Sequence, residues 1–294
     1  MTNKHGLPDH VMKVLSMYQK MERYPDFPDY DISVTELIAP SRIGRLSREM
    51  KTMVEPQDVS EIISLVLGNA FHQYMEHSIL EEEVISVEKK MRTFFLGKLI
   101  AGTLDAIVRE GEDLVIYDYK TTSVWSYIDG FKPEWKNQLE VYRWLAERNG
   151  YGPIRCLKLL AIYRDWSQMK AKFEKNYPPL PFNVYQIPLS VGSNPAITQK
   201  YVERRLREHF SEGPMELCTP EERWRKPVIH AVMKRGRKTA VKLFPGNPSG
   251  AADYAELKGK DHYVEIRPEE NPRCERYCPV ASVCEQYRNI RNEG

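Results

Sequence analysis

Three charged side chains, Asp105, Asp118 and Lys120, interrupt an otherwise apolar stretch of this chain. The stretch runs Gly102-Thr-Leu-Asp105, passes a polar turn at Glu110-Gly111-Glu112-Asp113, and continues Leu-Val-Ile-Tyr-Asp118-Tyr-Lys120-Thr-Thr. Residues 118 and 120 are two apart, so on a strand their side chains leave the same face. If the two halves pair as a hairpin around the turn, Asp105 comes within reach of that face. Carboxylate oxygens suit a hard divalent cation, and a lysine beside them can orient or deprotonate a water. The chemistry implied is metal-assisted hydrolysis. Taken singly, each residue reads instead as a charge on a solvated strand face, where exposed pairs contribute little.

The flanking elements would have to position this trio. Leu99 to Val108 and Leu114 to Tyr119 are rich in aliphatic and β-branched residues around a glycine-containing turn, which predicts a β-hairpin. Val84 to Phe95 reads as a further strand that Gly97 turns into the next one, and its Glu88 is expected to be a structural charge. A helix is expected from Pro133 to Arg148, with Gln138, Tyr142 and Leu145 on one face and Gly150 past its end. Ile154–Tyr163 and Val184–Leu189 read as strands, with Lys170 to Pro181 as a surface excursion between them. Upstream, Ile62, Ile63, Val66, Leu67 and Phe71 follow helical spacing within Asp58 to Glu82, a segment that carries His72 and Glu76 one turn apart.

Outside this region, Pro8 to Glu22 predicts an amphipathic helix, and Tyr24 to Asp31 is a Pro- and Asp-rich boundary loop. Ser193 to Phe210 reads as helical, capped by Ser193 or Asn194. The 294 residues divide, on this reading, into a helical N-terminal extension (1–57), a central core (58–190) and a C-terminal helical and basic region (191–294) packed on that core. The formal net charge is only +2, from 43 basic and 41 acidic residues, so a path for nucleic acid would have to come from local clustering. No apolar run approaches a membrane span and the N-terminus has no signal-peptide core, so a cytoplasmic protein with no membrane contact is expected. In that compartment the five cysteines are not expected to form disulfides.

Gly-x-x-Asp, a hydrophobic strand, Asp-x-Lys and a downstream Gln-x-x-x-Tyr together resemble the PD-(D/E)XK nuclease superfamily in its RecB-like branch. The resemblance implies an α/β fold with a mixed β-sheet flanked by helices. It also implies a metal-binding histidine on a preceding helix, and Gly68-x-x-x-His72 stands where that residue is needed. On the same ground His72, Asp105, Asp118 and the backbone carbonyl of Tyr119 would bind Mg²⁺ or Mn²⁺, Lys120 would align or activate the attacking water, and Gln138 and Tyr142 would help to place the scissile phosphate or that water. Imidazole makes Mn²⁺ a natural occupant.

Two features of the second half stand apart from a minimal core. Arg223 through Lys242 carries eight Lys or Arg residues, including Lys234-Arg-Gly-Arg-Lys238, and no acid occurs from Arg223 to Ala252. This is a phosphate track, with Trp224 available for stacking, or a solvated basic face. The other feature is Cys274, Cys278 and Cys284 in a C-x3-C-x5-C pattern. It resembles the C-terminal cysteine triplet of iron–sulfur RecB-like nucleases of the AddB type, whose first ligand often lies near the end of the N-terminal segment. Here that segment, Ser33 to Arg42, has Pro40-Ser41 at that place, and no cysteine precedes Cys156. Four thiolates would complete a structural site, and Cys218 is the first candidate for the fourth, ahead of Cys156 or a histidine. A 4Fe-4S cluster is favoured by the resemblance, Zn²⁺ comes next, and a metal-free cysteine knuckle is the third reading.

The resemblance as a whole, including the Cys218-Thr-Pro-Glu-Glu-Arg-Trp224 segment, is to bacteriophage and prophage members of the branch. It implies a DNA exonuclease of recombination or end-processing, with a recombinase, single-strand annealing protein or helicase as a possible partner. A partner-dependent nuclease subunit and a non-catalytic nucleic-acid-binding protein are the competing readings. Oligomeric state, strand preference and polarity are not legible in the sequence.

Overall fold

The computed structural model describes residues 6–9, 11–13, 29–50, 66, 68, 70–71, 74, 84–187, 189 and 195–293. Most of the expected helices at Pro8–Glu22 and Asp58–Glu82, and the cap at Ser193 or Asn194, lie outside the described residues. The chain divides into two compact units, residues 1–39 with 55–210 and residues 40–54 with 211–294. This division differs from the one expected from sequence. The helix after residue 191 belongs with the first unit, and a short N-terminal helix belongs with the second.

In the first unit, β1 (Ile32–Ser33) leads into helix α1 (Val34–Ile38), where the Ser33 hydroxyl accepts the Glu36 N–H at 3.1 Å as an N-cap. Helix α2 (Ser41–Glu49) begins the second unit. The first unit resumes with β2 (Val84–Phe95), β3 (Lys98–Glu110) and β4 (Asp113–Thr122), the antiparallel meander predicted from the aliphatic runs. A short helix α3 (Trp125–Ile128) precedes α4 (Pro133–Arg148), which starts on proline as the fixed φ of that residue favours. Strand β5 (Ile154–Tyr163) then pairs parallel to β4. The lysine-rich segment after it holds an exposed helix, α5 (Gln168–Phe173), before β6 (Phe182–Ile187) and α6 (Pro195–Phe210).

These strands form one mixed sheet, flanked by helices. Strand β2 follows one edge of β3 from Lys98 to Val108, so β1 and β4 share the other edge. On that edge the β4 ladder ends at Ala106↔Tyr117, and β1 takes over at Ile100 and Ala101. Gly102 to Asp105 therefore span the opening between two neighbours. The core on both faces of the sheet is aliphatic, with Ile100, Leu104, Ile107, Ile116, Leu139, Leu145 and Leu157 all within 1 % of full burial. Each such side chain contributes about 1.5–3 kcal/mol.

Helix α6 is tied to α1 by Arg205, whose guanidinium donates to the Leu37 carbonyl at 2.9 Å and to the Ala39 carbonyl. These carbonyls lie at the end of α1, where no intrahelical donor remains for them. Between α4 and α6, fully buried Arg143 pairs with Glu140 at 3.2 Å, and Thr198 bonds to both.

The second unit adds β7 (Ile229–Lys234), β8 (Lys242–Pro245), α7 (Pro248–Lys258), β9 (His262–Arg267) and α8 (Glu285–Glu293). The expected helical and basic region thus contains a three-stranded antiparallel sheet in the order β8-β7-β9. Its strands are four to six residues long, and the basic turn inside the hairpin hides their alternation. Val232, Phe244 and Val264 of this sheet pack on Ala251, Tyr254 and Ala255 of α7. A second small core gathers Leu46, Val280 and Cys284 with Ile43, Met50 and Met215. Among the described residues no helix is long and apolar enough to cross a membrane.

Candidate active site

Strand β4 runs between β3 and β5, so Asp118 stands opposite Leu159 in a nearly dry layer and is 3 % exposed. A carboxylate in such a place costs several kcal/mol unless a cation and hydrogen bonds offset it. Lys120, two residues on, supplies the cation: its Nζ lies 2.9 Å from Oδ1 and 2.8 Å from Oδ2 of Asp118. Burial disfavours the ammonium, but the charges of Asp118 and Asp105 outweigh burial and hold Lys120 above its ordinary value. The pair holds the Lys120 ammonium beside the Asp118 carboxylate, on the strand face that Asp105 also approaches.

Asp105 reaches the same place from β3. The ladder has stopped one residue earlier, and the carboxylate replaces it by accepting the Tyr119 N–H at 2.6 Å on Oδ2. This bond closes the opening between the strands and aligns the backbone of Tyr119 between Asp118 and Lys120. The Tyr119 phenol is pushed up to about 12, chiefly by burial and then by the Asp105, Tyr117 and Glu88 charges, so it stays protonated at neutral pH. Asp105, Asp118, Tyr119 and Lys120 are thus brought together as their spacing implies.

His72 lies outside the described residues. Its neighbours Val66, Gly68, Ala70, Phe71 and Tyr74 are helical. Phe71 meets Tyr119 edge to face at 6.1 Å, and a Cβ at Gly68 would stand 3.1 Å from the Thr121 hydroxyl oxygen. Gln138 and Tyr142 are four apart on α4, both buried, with the amide nitrogen 3.5 Å from the phenol oxygen. Tyr142 touches the motif strand at Gly102, where a Cβ would come within 2.8 Å of the ring.

Two further acidic residues stand beside the site: Glu88, read from sequence as a structural charge, and Asp165, which the sequence reading did not name. Glu88 falls opposite Asp105 in the β2–β3 register, between the pairs Val87↔Ala106 and Lys89↔Leu104. Its φ is +44°, a left-handed conformation that costs a non-glycine residue about 1–2 kcal/mol. Strain of this kind concentrates at sites where a side chain must be re-aimed. Asp165 fixes the exit of the motif strand, accepting the Ser123 hydroxyl at 2.6 Å and the Val124 N–H at 2.8 Å. Asp165 has no sequence signal of its own, since its place depends on a turn formed by residues about forty positions away.

In the second unit, Cys218, Cys274, Cys278 and Cys284 line one cavity of about 10 Å³. Gln286 fastens Cys218 there, accepting its N–H and donating to its carbonyl, each at 2.8 Å. The Arg42 Nε donates to the Cys284 sulfur at 3.4 Å, and Arg223 and Arg273 line the same cavity. Burial raises the thiols of Cys274 and Cys278 and pushes Cys218 up to about 12, with Glu222 and the other three sulfurs adding to the last shift. Cys156 is on β5 of the first unit and is not among the residues that line this cavity. Among the described residues, no three His, Cys, Asp or Glu side chains form a group that could hold a metal ion as they stand.

The sequence pattern of the PD-(D/E)XK nuclease superfamily matches residues 62–285. No curated protein matches the chain. Among solved structures, the crystal structure of SSO0001 is similar over 94 % of this chain and 96 % of its own, at 17 % identity and a TM-score of 0.51. A putative exonuclease from Eubacterium rectale matches over 69 % of this chain and 76 % of its own, at 10 % identity and a TM-score of 0.32. The family match takes in every residue of the Gly102 to Tyr142 motif, and the mixed α/β sheet around Asp105, Asp118 and Lys120 agrees with it: the chain belongs to the PD-(D/E)XK nuclease superfamily.

Proposed function

We propose that this protein is a metal-dependent DNA nuclease of the RecB-like branch that hydrolyses phosphodiester bonds from DNA ends. The observation that carries the reading is the convergence of Asp105 and the Asp118–Lys120 pair where β3 and β4 part. Hard carboxylate oxygens on adjoining strands, where their ladder stops, fit a hard divalent cation. Asp105, Asp118, the Tyr119 carbonyl and His72 would hold Mg²⁺ or Mn²⁺, which would polarise the phosphate and lower the pKa of a bound water. Lys120 presents an ammonium to the attacking water and to the charge that develops on phosphorus. Asp105 keeps the Tyr119 backbone in line, and Gln138 and Tyr142 help to place the phosphate or the water.

Resemblance to phage and prophage exonucleases supports end-dependent cutting. Degradation of end-labelled linear and closed-circular DNA, single- and double-stranded, with Mn²⁺, Mg²⁺ or EDTA tests the reading. Metal-dependent loss of linear DNA alone, abolished in Asp118→Ala and Lys120→Ala, is expected. Cutting of closed circles would make the enzyme an endonuclease, and no cleavage by folded protein would favour a partner-dependent subunit or a binding protein.

The cysteines form a second part of the proposal. Cys218, Cys274, Cys278 and Cys284 are the ligands of a structural 4Fe-4S or Zn²⁺ site that pins the C-terminal tail. Four thiols on one cavity with three guanidinium groups around it support this, because the arginines offset the charge of a tetrathiolate centre. Metal analysis and the visible spectrum of anaerobically purified protein distinguish the two metals.

A further inference from the structure

The basic turn Lys234-Arg-Gly-Arg-Lys238 is one of two turns that meet at the same end of the β8-β7-β9 sheet. The pair Lys234↔His262 ends the β7–β9 ladder, and the Arg235 N–H donates to the Asp261 carbonyl at 2.8 Å. The α7–β9 connection, with Lys258 and Lys260, is thereby fastened beside the β7–β8 turn. Lys242 arrives from β8, opposite Val232. Residues separated by more than twenty positions thus present their cations at one end of a small module.

Several of these cations are placed by contacts other than ion pairs. Lys242 Nζ lies 4.8 Å and Lys258 Nζ 5.4 Å from the centre of one ring, that of Tyr254, so two ammonium groups contact a single aromatic ring. Arg237 is ordered by a bond from Nε to the Thr239 hydroxyl at 2.9 Å. Among the described residues, the ion pairs of this unit are Arg225–Glu269, Lys226–Glu270 and Arg267–Glu265. None involves the cations at this end, and Asp261 meets Arg235 through its backbone. Lys234, Arg235, Lys238, Lys258 and Lys260 are all exposed. Gathering like charges in this way is unfavourable for the free protein, and a polyanion relieves it.

We propose that this end of the module grips the phosphate backbone of DNA, independently of sequence. The proposal rests on the nuclease reading for the identity of the polyanion. Lysines and arginines at turn tips reach phosphates without entering a groove, and such contacts give affinity and position without base readout.

The test is binding of linear DNA by the full chain carrying Asp118→Asn, in EDTA, measured by fluorescence anisotropy over a salt series. To this background are added Lys234→Gln, Arg235→Gln, Lys238→Gln and Lys260→Gln, which touch no core residue. The slope of log affinity against log salt should become shallower by about 3–4, and affinity at low salt should fall at least about tenfold. Lys234→Gln with Lys238→Gln alone should give roughly half the change in slope, which covers the case in which the fourfold variant fails to fold. A control with Lys172→Gln and Lys175→Gln should leave the slope as it was. An unchanged slope in the variants, with native circular dichroism, overturns this inference and leaves the nuclease reading standing. Absence of any DNA binding by the Asp118→Asn chain overturns both.

Discussion

The ring of Tyr142 and the side chain of Val34 occupy the space that a Cβ on Gly102 would need, each at 2.8 Å. The glycine of the Gly-x-x-Asp motif is therefore a packing requirement: it lets α1 and α4 close on β3 three residues before Asp105. Both neighbours are buried, so neither can swing away freely. Gly102→Ala should cost about 1–3 kcal/mol through overpacking. Thermal unfolding should show a lower midpoint, and Val34→Ala in the same chain should recover part of it. An unshifted midpoint in Gly102→Ala would show that α4 is free to retreat.

Asp118 depends on Lys120 for compensation, and Lys120 depends less on Asp118. Lys120→Ala should destabilise the protein in EDTA by up to ~3–5 kcal/mol, because the Asp118 carboxylate it leaves behind is only 4 % exposed. A divalent cation can replace the missing charge, so Mn²⁺ should raise the unfolding midpoint of Lys120→Ala more than that of the native chain. Asp118→Asn should show little such stabilisation. Both variants should lose about 10²–10³-fold or more in cleavage rate. Equal Mn²⁺ stabilisation of all three proteins would place the cation elsewhere.

The sequence exposed the trio because chemistry and periodicity coincide there: charges at positions 105, 118 and 120 break aliphatic strands that have no other reason to carry them. The boundaries of α4 and β5 were equally legible, being set by Pro133, Gly150 and a run from Ile154 to Tyr163 that is mostly apolar. What remained hidden depends on partners distant in the chain. Strand β8 is four residues long and follows a lysine-rich turn, so its pairing with β7 is invisible to local pattern. Arg42, which donates to Cys284 across 242 positions, stands on a helix that sequence alone assigned to an N-terminal extension. The gathering of Cys218 with the C-terminal cysteines rests on Gln286, an amide with no motif to mark it.

Glu88 combines a strained backbone with a place opposite Asp105. Asparagine tolerates the left-handed region better than glutamate does. Glu88→Asn should therefore leave the unfolding midpoint equal or higher. If the carboxylate serves the site, the same variant should cut DNA at least about tenfold more slowly and need more Mn²⁺. Native cleavage kinetics would reduce Glu88 to a locally strained position within β2.

The cysteine cavity carries its own pH signature. Burial raises the thiols of Cys218, Cys274 and Cys278, so in the metal-free protein they bind protons more tightly than in the unfolded chain, where the value is about 8.5. Their contribution to stability is complete below that value and is lost as pH rises through the folded values, which for Cys218 is about 12. Metal-free protein should therefore lose stability above about pH 8.5. Loading with Zn²⁺ or iron requires the thiolates, so binding should release protons, weaken as pH falls, and abolish the alkaline loss. Cys218→Ser and Cys284→Ser should bind less metal and unfold at lower temperature, whereas Cys156→Ser should keep the native metal content. Full metal content in Cys218→Ser would mean that the fourth ligand comes from another residue.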